Sequence, residues 1–253
     1  MLEKNTKNRR IDMNVVRHLA DLMKAGKWRE NGETIKFSSD GQMIDGQHRL
    51  SAIVLSGCTV PIEIREGLDA DVIPTIDIGK KRTVSDVLKI MGRSNTNALA
   101  AAVNWANFFL KSDGVKTPAT IHRFSILDAG EQAEFIEANP HIIECVNIGN
   151  NLYQKFKQIR PGILTGQFFV AHQIDPVQCN EFFNGIATGA HMDEYDARMV
   201  LRRRLILRSS TTNRREPMLN IAVLHTYAWN AFREGRTLRR LLYTTGDAAP
   251  KMI

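Results

Sequence analysis

Residues 45–49 read Asp45-Gly46-Gln47-His48-Arg49: an acid, a glycine and two basic side chains set between a short apolar stretch and an apolar helical pattern. Residue types in this order suit the holding of a phosphate. Asp45 falls where a helix N-cap is expected, and Gly46 would let the backbone approach a ligand closely. The amides of Gln47 and His48 would then point along the positive end of the helix dipole, where anions bind. Arg49 adds a planar fork matched to phosphate. His48 has two roles open to it, as a donor to phosphate when protonated or as a holder of the turn through a backbone carbonyl. The plain alternative is that Asp45 is only a cap and that His48 and Arg49 are solvated first-turn residues.

A second segment repeats this logic. In Asp77-Ile78-Gly79-Lys80-Lys81-Arg82-Thr83 an acid ends a short apolar stretch, a glycine and three cations follow, and Thr83 or Ser85 is placed to cap a helix. Two such turns would close on one anion from two sides. Asn8-Arg9-Arg10, just ahead of the first helix, supplies a third basic element.

These residues need elements to position them. Asp12 is placed to cap a helix carrying Val15, Val16, Leu19, Leu22 and Met23, which stops at Gly26. Residues 34–37 and 43–44 read as short strands joined by a turn at 38–41, and Leu50, Ala52, Ile53 and Leu55 make a helical stripe ending at Gly57. Val60, Ile62 and Ile64 alternate as a half-buried strand, a second short apolar stretch covers 75–77, and a helix is expected over 83–91. From about residue 95 only helical patterns follow, over 97–110, 118–126, 131–137, 140–156, 162–172, 176–186, 197–208 and 217–232. The expected class is α+β: a small α/β domain over residues 1–92 and an all-α domain over 93–253. Trp28 reads as a plug for the α/β core, with a base pocket as its other use, and Trp229 as packing.

The chain is long enough for real cores and carries a net charge of +7. The basic excess lies in the last quarter, where residues 196–253 hold twelve basic side chains, eleven of them arginines, against four acidic ones. That is a candidate surface for nucleic acid; the competing use is pairing with acidic residues of the middle segment. On a helical wheel the arginines of 198–208 scatter among apolar residues. Arg233, Arg236, Arg239 and Arg240 therefore form the better candidate for DNA-backbone contacts, without base reading. Cys58, Cys145 and Cys179 have neither zinc-ligand nor disulfide-framework spacing, so no protein metal site is expected. No apolar run reaches the length of a membrane span, and the basic N-terminus lacks a signal-peptide core. The expected location is the cytoplasm, with no membrane partner.

Asn8-Arg9-Arg10, the helix ending in Gly26-Lys27-Trp28, the strand pair leading into Asp45-Gly46-Gln47-His48-Arg49-Leu50-Ser51-Ala52 and the strand after it together resemble the ParB/sulfiredoxin-like domain. More narrowly they resemble its phage and prophage relatives with a D-G-Q-H-R motif, which would put the chain in a host cytoplasm. The resemblance covers about the first 90 residues. The helical remainder, with Ala228-Trp229-Asn230-Ala231-Phe232, is similar to the tail of those phage proteins.

The resemblance implies a nucleotide triphosphate, CTP or ATP, with Mg²⁺ as its companion. Its phosphates would meet Asn8, Arg9, Arg10, Gly46, Gln47, His48, Arg49, Asp77, Gly79, Lys80, Lys81, Arg82 and Thr83. ParB partition proteins hydrolyse CTP while clamping DNA, and their G-E-R-R motif aligns with Gly46-Gln47-His48-Arg49. Gln47 replaces the acid, which argues against partition-type hydrolysis. It also replaces the cysteine of the sulfiredoxin G-C-H-R motif, which excludes sulfinic acid reduction. A free-serine kinase of this fold has an acid matching Asp45, which would then be the catalytic residue, orienting Mg²⁺ or accepting a hydroxyl proton. The leading expectation is a DNA-associated, nucleotide-binding ParB-like protein, an NTPase if it hydrolyses its ligand, with a homodimer among the expected assemblies. The alternatives are a Mg²⁺-dependent phosphotransferase acting on a nucleoside, a modified DNA base or a small hydroxyl compound, a ParB-like nuclease, and a catalytically inactive binder of a host protein.

Overall fold

A computed structural model describes residues 2, 5, 8, 10–76, 82–114, 126–190, 192–211, 217–244 and 246–253. The expected helix at 118–126 lies almost wholly outside them. The chain divides into two compact units, residues 1–81 and 82–253.

The first unit begins with α1 (Met13–Lys24), capped by Asp12, whose Oδ1 accepts the amide of Asn14 at 2.8 Å. A β-hairpin of β1 (Thr34–Ser38) and β2 (Met43–Asp45) follows, then α2 (Gln47–Ser56) and β3 (Glu63–Leu68). The sheet order is β2-β1-β3, with β1 antiparallel to β2 and parallel to β3. The connection through α2 therefore carries the chain from one edge of the sheet across β1 to the other edge. Ile35 and Phe37 alternate with Lys36 along β1, so the two apolar residues share a buried face with Met43 while Lys36 points the other way. A second small cluster, Val16, Ala20, Met23 and Ala52, joins α1 to α2, with Trp28 packed beside it and its indole N–H donated to the Pro61 carbonyl.

Two expectations for this unit differ from what is observed. The third strand starts at Glu63 instead of 60, and its side chains from Glu63 to Gly67 are exposed, so Ile64 is not half-buried against a core. The apolar stretch near 75 is the end of a 3-10 turn, Ala70–Thr75, and not a strand.

The second unit is helical: α3 (Val84–Ile90), α4 (Thr96–Lys111), α5 (Ala129–Ala138), α6 (Ile142–Lys155), α7 (Pro161–Ile174), α8 (Pro176–Thr188), α9 (Ala197–Thr211) and α10 (Met218–Arg233). Its start, at Arg82, precedes the expected boundary at residue 92, because Leu88 of α3 is buried in the helical core with Leu99 of α4. α4 and α7 cross closely at Gly166, where a Cβ would sit 2.6 Å from the Ala106 nitrogen; only glycine admits that approach. Phe168, Phe182, Phe183, Trp229 and Phe232 meet edge-on or tilted through the centre, and the Trp229 indole N–H reaches the Ile253 carbonyl. Cys145 and Cys179 are buried free thiols. Burial, aided by the charge of Glu144, pushes the Cys145 thiol up to about 11, so it packs as a small apolar group.

Candidate functional site

The turn from β2 into α2 is built by close packing as much as by charge. Gly46 has φ of 93°, and a Cβ there would lie 2.9 Å from the Cα of Ile35 in β1. Its missing side chain thus serves the packing of the turn onto the sheet. Gly46, not Asp45, is the N-cap residue of α2. Asp45 ends β2, and its Oδ1 accepts the Gly46 amide at 2.6 Å.

The other carboxylate oxygen of Asp45 is shared by two cations. Lys36 Nζ lies 2.9 Å from Oδ2, and an Arg49 terminal nitrogen lies 3.1 Å from the same atom. The first pair follows from the hairpin, in which Lys36 stands opposite Asp45. The second follows from helical geometry, since Arg49 comes one turn after Asp45. Arg49 also bridges to Glu33 at 2.8 Å and donates to the Thr34 carbonyl at 2.6 Å, which ties α2 to the start of β1. Its Nε is buried without an acceptor. Burial alone would raise the Asp45 carboxyl, but the Lys36 hydrogen bond, the charges of Arg49 and Lys36 and the Gly46 amide outweigh it and hold the group below the ordinary aspartate value.

Gln47 and His48 face the protein. Gln47 is buried, and its Oε1 accepts from Asn5 at 2.8 Å. The Asp12 amide donates to His48 Nε2 at 3.0 Å, so this nitrogen carries the lone pair and the ring proton sits on Nδ1. The ring thereby also holds the start of α1 by accepting a backbone N–H, a contact that sequence reading did not anticipate. Asn8 donates to the Met43 carbonyl at 2.8 Å and to Asn5 Oδ1 at 2.6 Å, which brings the N-terminal segment alongside β2. Arg10 is exposed, and Arg9 lies outside the described residues.

Of the second basic turn, Asp77, Gly79, Lys80 and Lys81 also lie outside the described residues. Arg82 and Thr83 belong to the second unit. Thr83 forms a reciprocal capping box with Asp86 at the start of α3. Arg82 is exposed.

Lys36 is the one cation of the cluster absent from the sequence candidates. Its signal was the two-strand hairpin register, which places it across from Asp45.

Many C-terminal arginines are structural. Arg198 is bound by Asp196 and Glu181 and lies over the Phe232 ring at 4.5 Å. Arg202 stacks on Phe156 at 4.4 Å and donates to the Ile186 carbonyl at the end of α8, where a cation complements the dipole. Arg233 stands 4.0 Å from Asp175, and Arg236 pairs with Glu234. Arg239 and Arg240 are exposed and make no ion pair among the described residues.

No family model matches the chain, nor does any curated protein or solved structure. The reading of the site rests on its own geometry. Among the described residues no group of three or more His, Cys, Asp or Glu side chains is gathered as metal ligands, and no helix is long and apolar enough to cross a membrane.

Proposed function

We propose that residues 1–81 form a nucleotide-binding domain of ParB/sulfiredoxin type within a DNA-associated protein. The observation that carries this reading is the convergence of Lys36, Arg49 and the Gly46 amide on one anionic group at the strand-to-helix turn, with a buried Arg49 Nε still lacking an acceptor. Here that group is the Asp45 carboxylate. This donor set fits a phosphate oxygen equally well, since both are anions recognised by charge-assisted hydrogen bonds.

Charge balance adds a requirement. Lys36 and Arg49 are matched by Asp45 and Glu33, so the cluster is formally neutral. A nucleotide's phosphates need further cations, and Mg²⁺ and Arg10 are the candidates. Asp45 would hold Mg²⁺ only once the phosphates have drawn Lys36 and Arg49 away from it, since both cations occupy its Oδ2. The ion would supply charge neutralisation for the phosphates.

The phosphotransferase reading uses the same site but asks Asp45 to accept a proton. Two bound cations make it a weaker base than a free aspartate, which favours nucleotide binding, with or without hydrolysis, over base catalysis. DNA association rests on Arg239 and Arg240, which are exposed and unpaired among the described residues.

A thermal-shift panel of ATP, CTP and GTP, each with and without Mg²⁺, tests the proposal on wild type and Lys36→Met. A ligand that binds the folded state raises the unfolding midpoint by an amount that grows with the logarithm of its concentration over Kd. At least one nucleotide should stabilise wild type and lose that effect in Lys36→Met. No stabilisation by any of them, or equal stabilisation of both proteins, would refute it.

A further inference from the structure

β3 is an edge strand of the sheet. One side pairs with β1, and the other has no strand partner among the described residues. The side chains from Glu63 to Gly67 are exposed on both faces, with Ile64 at 43% of its full exposure. Glu63, Arg65 and Glu66 make no ion pair among the described residues. Such an edge is a template for another strand.

We propose that β3 pairs with β3 of a second copy of this chain, antiparallel, about a two-fold axis through Ile64. Symmetry limits the choices. Residues opposite each other across an antiparallel pair lie on the same face of the sheet, and a two-fold axis normal to the sheet preserves faces. Position i can then oppose only a position of the same parity, so the axis must pass through a residue meeting its own copy. Centring on Glu63, Arg65 or Glu66 sets like charges directly against each other, which is destabilising. Gly67, with φ of 79°, departs from extended backbone and cannot be the centre of a regular ladder.

Leu68 ends the strand just beyond Gly67, so a pairing centred there would have irregular backbone on both sides, and Ile64 is the centre that remains. There the two Ile64 side chains pack on each other, and Glu63 of each copy faces Arg65 of the other. Pro61, which has no N–H, and the left-handed Gly67 close the ladder at its two ends. The contact is small, so the dimer is weak and concentration-dependent.

Sedimentation equilibrium of the full chain over a wide concentration range tests this pairing. Wild type should follow a monomer–dimer equilibrium. Arg65→Glu or Glu63→Arg alone, each placing two like-charge pairs in the dimer, should weaken it roughly tenfold. The double charge swap should restore wild-type affinity, and Ile64→Lys should abolish the dimer. All three positions are exposed, and unchanged circular dichroism would verify that the variants leave the fold intact. A wild type that stays monomeric, a dimer indifferent to Arg65→Glu and Ile64→Lys, or a folded double variant that does not recover affinity would each overturn the proposal.

Discussion

Asp45 sits where two cations and a helix-start amide meet, and the rest of the site follows from that. Because its folded pKa lies below the ordinary value, the unfolded chain binds the proton more readily. Its contribution to stability is therefore complete above the ordinary aspartate range and is lost as pH falls through the folded value. Asp45→Asn should lower stability at neutral pH by about 1–3 kcal/mol, since it leaves half-buried Lys36 without its anion and Arg49 with Glu33 alone. Urea midpoints measured from neutral to acid pH should show that the variant has lost part of the wild-type acid sensitivity. Asp45, Gly46 and Arg49 were legible as a unit from type and spacing alone. The inward use of Gln47 and His48 was not, because their partners Asn5 and Asp12 lie far off in sequence and meet them only once α1 and α2 are packed.

At the scale of elements, the turn into α2 depends on the absence of a side chain at Gly46. Gly46→Ala should cost about 2 kcal/mol or more, through backbone strain at positive φ and the clash with Ile35, and should weaken nucleotide binding by moving α2. Chemical denaturation of the variant measures the first effect.

In the helical unit, His225 on α10 is fully buried, and its Nδ1 pairs with Gln167 Oε1 at 2.6 Å. Burial depresses its pKa to about 3. The unfolded chain then takes up a proton that the folded one refuses, so stability is complete above the ordinary histidine value. It falls as pH drops below that value, by up to about 1.4 kcal/mol per pH unit. His225→Gln should flatten this slope between mildly acidic and neutral pH.

Helices were legible to within a few residues wherever a cap and an apolar stripe coincide, as at Asp12 and Thr83. β3 was harder. In the run Val60, Ile62, Ile64 the first two pack against the small apolar clusters, yet pairing starts only at Glu63 and Ile64 is left exposed. Periodicity records a pattern of side chains, not whether a second layer exists to bury them.

Across the whole molecule, the number of arginines in the last quarter overstates the free basic surface there, because several of the described ones are engaged. Arg198 and Arg202 serve ion pairs, ring stacking and a helix end, and those partners were invisible in composition. Among the proposed backbone contacts, Arg239 and Arg240 are exposed while Arg233 and Arg236 are paired. Binding to duplex DNA should therefore weaken steeply with salt. Replacing Arg239 and Arg240 together by Ala should reduce the slope of log affinity against log salt by about 2, whereas Arg236→Ala should change it less. The split into an α/β part and a helical part was legible from the change of pattern after residue 92. The compact units part earlier because Leu88 packs with the helices, which local sequence does not reveal.

In the proposed site, Asp45 and a nucleotide phosphate compete for the same two cations. Calorimetric titration of a Mg²⁺-free nucleotide into wild type, Lys36→Met and Asp45→Asn tests it most directly. The two variants should move affinity in opposite directions: weaker when Lys36 is removed, and tighter when neutralising Asp45 frees Lys36 and Arg49. Equal affinities in all three proteins, or a shift of both variants in the same direction, would contradict it.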